Sequence, residues 1–449
     1  MGFLAIILFF LIFSLILRGY PVAFTLGGVS ILFALIVSYF YPDIIRLSDF
    51  YILPFRFMGI VSNTMLMAVP LFIFMGIMLE KSGLAESLLE TMAILFGKFK
   101  GGLAISVIIV GALLAASTGI VGATVVTMGL ISLPTMLKRG YKPELATGVI
   151  ASSGTLGQII PPSVVLILLA EQISSSTRGK SQVDVGSLFQ AAILPGVGLV
   201  LAYILYVIII SRVKPDWAPA MPQVEIDQLK GEGFLGRLIK AFVLPLVLII
   251  SVLGSIFAGI ASPTEAAAVG ALGATVLTVF QGKFKLEVLR AVMRQTILLT
   301  SMVFFILLGA TTFTLVFRLL GGDEYLIGLI TSANLSPMVF LAIVMIVIFI
   351  AGFFIDFIEI IFIFVPVITP IFDIYEIDML WIGILMALNL QTSFLTPPFG
   401  FSLFYLKGVS PPEITSAVLY RGIIPFIIIQ LIFLITIIIF PQIIYTLIK

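Results

Sequence analysis

The 449-residue chain is 61% hydrophobic and only 10% charged, with a net charge of +2 and a mean hydropathy of +1.27. No soluble core hides this much apolar side chain behind so little polar surface, so the chain reads as an all-α polytopic membrane protein. It has neither Cys nor His, which excludes thiolate and imidazole metal ligands, His-ligated haem, an HExxH zinc protease and any nucleophilic dyad with a His base. Its basic residues are dispersed rather than gathered into a stripe, which argues against nucleic acid.

At about 20 residues per crossing, full spans are predicted near residues 3–17, 22–41, 60–79, 143–172, 187–211, 240–260, 263–281, 291–317, 379–407 and 414–445. The first has no basic residue ahead of it and no small-residue cleavage site behind, so it is expected to be a retained membrane helix rather than a signal peptide. Residues 213–239, with Pro215, Pro219, Pro222 and mixed charge, are expected to form a cytoplasmic loop without a soluble domain. At Ser262-Pro263-Thr264-Glu265 the order Ser, Pro, Glu reads as N-cap, N1 and N3 of a helix. The small residues after it, Ala266 to Gly270, suit close packing on a partner helix.

Two further apolar stretches, 102–137 and 338–372, are expected to be re-entrant hairpins, because two arms of about 15 residues are short for a hydrocarbon layer of roughly 30 Å. Their breaks fall at residues 117–124 and near 353–359. The first hairpin is flanked by Lys98, Lys100, Lys138, Arg139 and Lys142, the second by Asp323, Glu324, Asp373, Glu376 and Asp378. Under the positive-inside rule the first enters from the cytoplasm and the second from outside, as an inverted repeat requires. Threading the spans on that anchor leaves only Arg46, Arg56, Arg178, Lys180, Arg318 and Lys449 outside, of 24 Lys and Arg, and puts both termini outside.

Spacing supports the duplication. Pro134 stands 27 residues before Pro161-Pro162, and Pro370 stands 27 residues before Pro397-Pro398. Each doublet interrupts an apolar segment, and paired broken segments in two halves point to the midplane site of a secondary transporter. The expected organisation is N-terminal scaffold helices at 1–59 and repeat 1 at 60–211, with hairpin 102–137 and broken helix 143–172. A loop and linking helices follow at 212–290, then repeat 2 at 291–449, with hairpin 338–372 and broken helix 379–407.

Unwound backbone at membrane depth survives only where protein, water or an ion satisfies it, at several kcal/mol per group otherwise. The breaks are therefore candidate coordination sites, and their Ser, Thr and carbonyl oxygens are hard ligands of the kind Na⁺ accepts, while half-helix N-termini favour a substrate carboxylate. The candidate Na⁺ ligands are Ser117, Thr118, Ser153, Gly154, Asp356, Asn389 and Thr396, with Thr124 and Ser393 beside them. The candidate substrate contacts are Thr155, Ser163, Asp356, Thr392 and Thr396. Asp356 has the strongest individual claim, because an ionisable residue inside a membrane segment is costly; Glu359 reads as its rim neighbour. The bland account stands alongside: Gly and Ser close-pack membrane helices, and Pro kinks them.

These residues resemble the large membrane subunit of tripartite ATP-independent periplasmic (TRAP) transporters, the DctM-like family. The likeness rests on an ordered set: Val69-Pro70-Leu71-Phe72, Gly101-Gly102-Leu103-Ala104, Lys138-Arg139-Gly140-Tyr141, Gly154-Thr155-Leu156-Gly157 with Ile160-Pro161-Pro162-Ser163, Ser262 to Ala268, Gly352 with Asp356, and Thr396-Pro397-Pro398-Phe399-Gly400. The resemblance implies an elevator-type carrier in the cytoplasmic (inner) membrane, its hairpins and broken helices moving past a fixed scaffold. It implies a Na⁺ gradient as driving force, a small organic acid as substrate, a periplasmic substrate-binding protein (DctP-like) and a small four-helix membrane subunit (DctQ-like) on a separate polypeptide. Where many family members carry Gly-Ser at the first hairpin tip, Gly119 is here followed by Ile120. The alternative is a stand-alone Na⁺-coupled carboxylate carrier of the divalent-anion/sodium symporter type. A membrane aspartyl protease would need a second facing carboxylate, and position 120 is Ile. No enzyme activity is expected.

Overall fold

The computed structural model describes residues 2–119, 121–177, 182–230 and 233–448, and every regular element among them is helical. In chain order these are α1 (Phe3–Leu17), α2 (Val22–Phe40), α3 (Leu47–Val61), α4 (Met65–Lys81), α5 (Leu84–Phe96), α6 (Gly102–Thr118), α7 (Val121–Lys138), α8 (Pro143–Thr155), α9 (Val164–Ser176) and α10 (Val185–Val213). They continue as α11 (Gln223–Lys230), α12 (Phe234–Phe257), α13 (Pro263–Phe280), α14 (Leu286–Leu319), α15 (Gly322–Ser332), α16 (Pro337–Ala351), α17 (Phe357–Ile374), α18 (Met379–Leu395), α19 (Phe401–Val409), α20 (Ser416–Ile439) and α21 (Gln442–Tyr445).

Eight of these helices are long and apolar enough to cross a membrane; α3 and α4, bent by 52° at their junction, make a ninth if taken together. The ten full spans expected from hydropathy are corrected accordingly. The segments at 143–172 and 379–407 are each two short helices around non-helical backbone, and α1 has only 15 residues. Hydropathy missed α3, α5 and α15, whose Arg56, Glu86, Glu90, Asp323 and Glu324 interrupt the apolar run. The short turns into α5 and α15 use Gly83 and Gly321 at φ +73° and +70°, a region that side-chain-bearing residues adopt only with strain.

Both stretches expected as hairpins are interrupted helices. Between α6 and α7 lies Gly119 at φ +62°; Ile120 beside it is outside the described residues. The other break occupies residues 352–356. The expectation of 15-residue arms is corrected: α7 and α17 have 18 residues each, or about 27 Å, so length alone does not forbid a crossing. Burial separates them from ordinary spans in one case, since 78% of α17 is buried inside the protein against 28–44% for the other seven.

The element order of α4–α10, a long helix, a short helix, a two-armed hairpin, a broken pair and a long helix, recurs in α14–α20. The stretch expected as a plain loop is strapped down: Gly101 donates to Ala218 O at 2.9 Å, Met221 to Gly97 O at 2.9 Å and Lys142 to Trp217 O at 3.0 Å, and Arg139 pairs with Glu225 at 2.8 Å. Helix α13 starts as read from sequence. Ser262 N donates to Glu265 Oε2 at 2.8 Å, and Glu265 N to Ser262 Oγ at 3.3 Å. Its face of Ala266, Ala267, Gly270 and Ala274 is buried against α4, with Met75 over Gly270.

The core is the set of elements that carry the breaks. Every residue of α8 from Leu145 to Thr155 is buried, as is every residue of α9 from Val164 to Ala170 and of α18 from Trp381 to Leu395. Helices buried all round are core elements rather than lipid-facing ones. Exposed apolar side chains lie on the N-terminal helices, as at Phe10, Phe24, Leu32 and Phe55, and on α10, α12–α14 and α20, as at Leu201, Ile250, Leu272, Leu298 and Ile432. Contact between α8 and α20 runs through glycine on both sides: a Cβ on Gly148 would overlap Gly422 O, and one on Gly422 would overlap Glu144 O. Gly148→Val is therefore expected to destabilise the protein by about 1–3 kcal/mol through overpacking. Gly254→Ala, whose methyl meets nothing within 4 Å, is expected to be neutral or to gain up to about 1 kcal/mol. Thermal unfolding of the two variants in detergent measures the contrast.

Candidate functional site

Each broken pair is wedged into the hairpin that precedes it. In the first half, Cβ atoms on Gly111, Gly154 and Gly157 would run into the Ser153 side chain, the Val125 side chain and Ala115 O respectively. The α8 end therefore lies against both α6 and α7. The hairpin tip touches the far side of the break, since a Cβ on Gly119 would stand 3.0 Å from Val164 Cγ2. In the second half a Cβ on Gly352 would overlap Ser393 Oγ, Asn389 Nδ2 donates to Met345 O on α16 at 2.8 Å, and the rings of Phe354 and Phe399 lie 5.2 Å apart. Small residues at these crossings let backbones approach closely, which apolar packing in a membrane rewards.

The two halves then meet. Ser402 Oγ on α19 donates to Ala151 O on α8 at 3.0 Å. A Cβ on Gly122, in the first turn of α7, would stand 3.0 Å from the ring of Tyr405 on α19, and that ring lies within electrostatic reach of Asp356 and Glu359 at the second hairpin tip. Tyr405 is thus the side chain around which the two tips converge. The first tip carries hydroxyls only, Ser117, Thr118 and Thr124, and the second carboxylates only, Asp356 and Glu359.

Most candidate hydroxyls are buried and turned back on their own helix. Ser117 donates to Leu114 O at 2.8 Å, Ser153 to Ile150 O at 3.1 Å, Thr155 to Ser152 O at 2.9 Å, Thr392 to Leu388 O at 2.7 Å, Ser393 to Leu390 O at 2.8 Å and Thr396 to Thr392 O at 2.8 Å. Each hydroxyl oxygen keeps acceptor capacity while its proton is used this way. Ser163 is the N-cap of α9: its Oγ donates to Gln158 O at 2.9 Å and accepts from Leu166 N at 3.5 Å. Thr124 is buried, Gly154 has no side chain to offer, and the side chain of Thr118 lies outside the described residues.

Asp356 caps α17. Its Oδ1 accepts from Phe357 N at 2.6 Å, and Glu359 Oε2 accepts from Asp356 N at 3.2 Å, which closes a capping box. Glu359, read from sequence as a rim neighbour, is the second member of that box. Two carboxylates held one turn apart in a partly buried site is an arrangement that a cation relieves.

Three polar residues at the centre escaped the sequence reading. Gln158 and Gln391 are fully buried, and neither amide atom of Gln158 reaches hydrogen-bond geometry with a described residue. Gln391 partners the hydroxyl of Tyr203, which also accepts from Gln430 Nε2 at 2.7 Å. An unmet buried amide costs about 1–3 kcal/mol, so Gln158, at the first break, is open to a ligand. Tyr405 is the third. Their sequence signal was position alone: a polar residue within a few positions of each proline doublet.

Comparison with known proteins agrees with this architecture. The family described as "Tripartite ATP-independent periplasmic transporter, DctM component" matches residues 9–443. A C4-dicarboxylate TRAP transporter large permease protein of Pseudomonas aeruginosa is 32% identical over 91% of this chain and 91% of its own. The sialic acid TRAP transporter large permease protein of Vibrio cholerae is 27% identical over 96% of this chain and 95% of its own. Among solved structures, the Alcanivorax borkumensis YdaH transporter superposes with a TM-score of 0.62 at 15% identity, covering 88% of this chain and 89% of that one, which shows a shared fold. The chain therefore belongs to the DctM component family of tripartite ATP-independent periplasmic transporters and is a multi-pass TRAP large permease subunit.

Proposed function

We propose that the chain drives Na⁺-coupled uptake of a small organic acid across the cytoplasmic membrane, and that it works as an elevator. The observation that carries this reading is the convergence of two hairpin tips and two helix breaks on one buried polar centre. Candidate Na⁺ ligands line each break: Ser117, Thr118, Ser153 and Gly154 on one side, Asp356, Asn389 and Thr396 on the other. Thr155, Ser163, Asp356, Thr392 and Thr396 are the candidate contacts for the substrate, with the buried amides of Gln158 and Gln391 beside them in the chain. The relatives' named substrates support an acid, since C4-dicarboxylates, sialic acid and ectoine all carry a carboxyl group.

The mobile unit in this reading comprises α6–α9 and α16–α19, the two halves being inverted repeats. The scaffold is α1–α4 and α12–α14. Two polar contacts bridge them, Thr127 Oγ1 to Glu80 Oε1 at 3.0 Å and Asn63 Nδ2 to Glu171 Oε1 at 2.8 Å. A rigid slide of one unit past the other exchanges these contacts and carries the site across the hydrocarbon layer. A periplasmic binding protein delivers the acid, and a separate small four-helix subunit completes the complex; both termini of this chain then lie outside.

Proteoliposomes holding this chain and its small partner are expected to accumulate the acid only with an inward Na⁺ gradient and the cognate binding protein. Na⁺-dependent uptake that ignores the binding protein would instead establish the stand-alone carrier. Asp356→Ala is expected to cost about 1 kcal/mol of unfolding free energy by removing the cap, and Asp356→Asn to recover it. Because Asn lacks the charge, Asp356→Asn is still expected to lose Na⁺-dependent uptake; uptake at the wild-type level would reduce Asp356 to a cap. Gln158→Met removes an unmet buried amide and is expected to raise thermal stability by about 1 kcal/mol or more while lowering uptake.

A further inference from the structure

A cavity of about 290 Å³ lies away from this centre, between α3 and α14 on one side and α9 and α17 on the other. Arg56, Gly59 and Asn63 face it from α3 and the turn that follows, at positions i, i+3 and i+7, and Thr311, Thr314 and Arg318 face it from α14 with the same spacing. Such spacing puts each set on one helix face. The cavity is thus walled on the scaffold side by two polar stripes, each ending in an arginine.

The charges are unevenly matched. Arg318 Nε lies 3.3 Å from Asp323 Oδ2, whereas no carboxylate among the described residues comes within 4.0 Å of Arg56. The two guanidinium groups are near enough to repel one another. The carboxylate in the wall is Glu171, on the α9 side, and it is held by Asn63 rather than by an arginine. The protein's own carboxylate therefore already occupies a cavity with two guanidinium groups, an amide and two threonine hydroxyls.

We propose that this cavity is an anion subsite that receives the carboxylate of an organic acid, and that Glu171 stands in for that carboxylate in the present state. The proposal rests on the elevator reading above. When α9 moves with the mobile unit, Glu171 leaves, and Arg56, Arg318 and Asn63 face an incoming acid on the outer side of the scaffold. A bidentate guanidinium–carboxylate pair is the strongest recognition available to such a ligand. Gly59 keeps the floor open, as a Cβ there would meet nothing within 4 Å.

The absence of native Cys permits a test that does not depend on transport. Ile60→Cys places a thiol in the cavity wall on α3, the element that carries Arg56, and its reaction with anionic sulfonatoethyl methanethiosulfonate is compared with that of the cationic trimethylammonioethyl reagent, each rate taken relative to that with free cysteine, in the full chain with its small partner. The anionic reagent is expected to react about tenfold faster, as a focused positive field requires. Succinate is expected to slow it, and neutral succinamide to have no effect. Arg56→Gln should abolish the preference, Arg56→Lys should keep most of it, and Gly59→Leu should block both reagents by filling the floor. Equal rates for the two reagents, no reaction with either, or a preference unchanged in Arg56→Gln overturns the subsite. Failure of wild-type liposomes to take up any acid with Na⁺ and binding protein would instead overturn the transport reading and leave the labelling result standing.

Discussion

Backbone polar groups must be satisfied wherever the chain leaves a helix inside an apolar core, and that one requirement organises this protein. Four interruptions, at 119, 156–163, 352–356 and 396–400, are largely buried apart from Phe354, Pro398 and Phe399, and the chain packs them against one another rather than scattering them. The surrounding helices are built to permit it. Gly111, Gly154, Gly157 and Gly352 let backbones approach until a single added methyl would collide, so each broken pair is seated in its own hairpin and the two halves close on Tyr405.

Local capping and distant packing divide the stabilising work. Asp356 with Glu359, Ser163 and Ser262 with Glu265 each terminate a helix by satisfying amides that would otherwise be left open. Contacts such as Asn389 to Met345 O and Ser402 to Ala151 O then tie separate elements together through single buried hydrogen bonds. Around the centre most hydroxyl protons are spent on the residue's own helix, which leaves oxygens presented inward as acceptors. Gln158 breaks that pattern, and an unmet amide in such a setting is where a ligand gains the most from binding.

The boundary between the scaffold and the hairpin-bearing elements has a different chemistry. It is crossed by Glu80 with Thr127 and by Asn63 with Glu171, polar contacts made by short-range groups that can exchange partners. Close-packed glycine crossings lie within the hairpin-bearing elements, against α20 and among the other helices, where a Cβ on Gly309 would overlap Ala23 O.

The sequence by itself determined the class of the molecule, the matched proline doublets and the helix start at Ser262, because hydropathy, turn residues and capping residues act over a few positions along the chain. The family's ordered motifs were legible for the same reason. What only the tertiary structure decided is which side chains meet. Tyr405 joins the two tips, Gln158 is left unmet while Gln391 meets Tyr203, Glu359 completes a cap, and Arg56 faces Arg318 across a cavity. None of these has a local signature, since each depends on residues tens to hundreds of positions apart. The short helices α3, α5 and α15 were hidden differently: their charges lower the apolar signal below that of a span, and their place is set by packing against neighbours rather than by insertion.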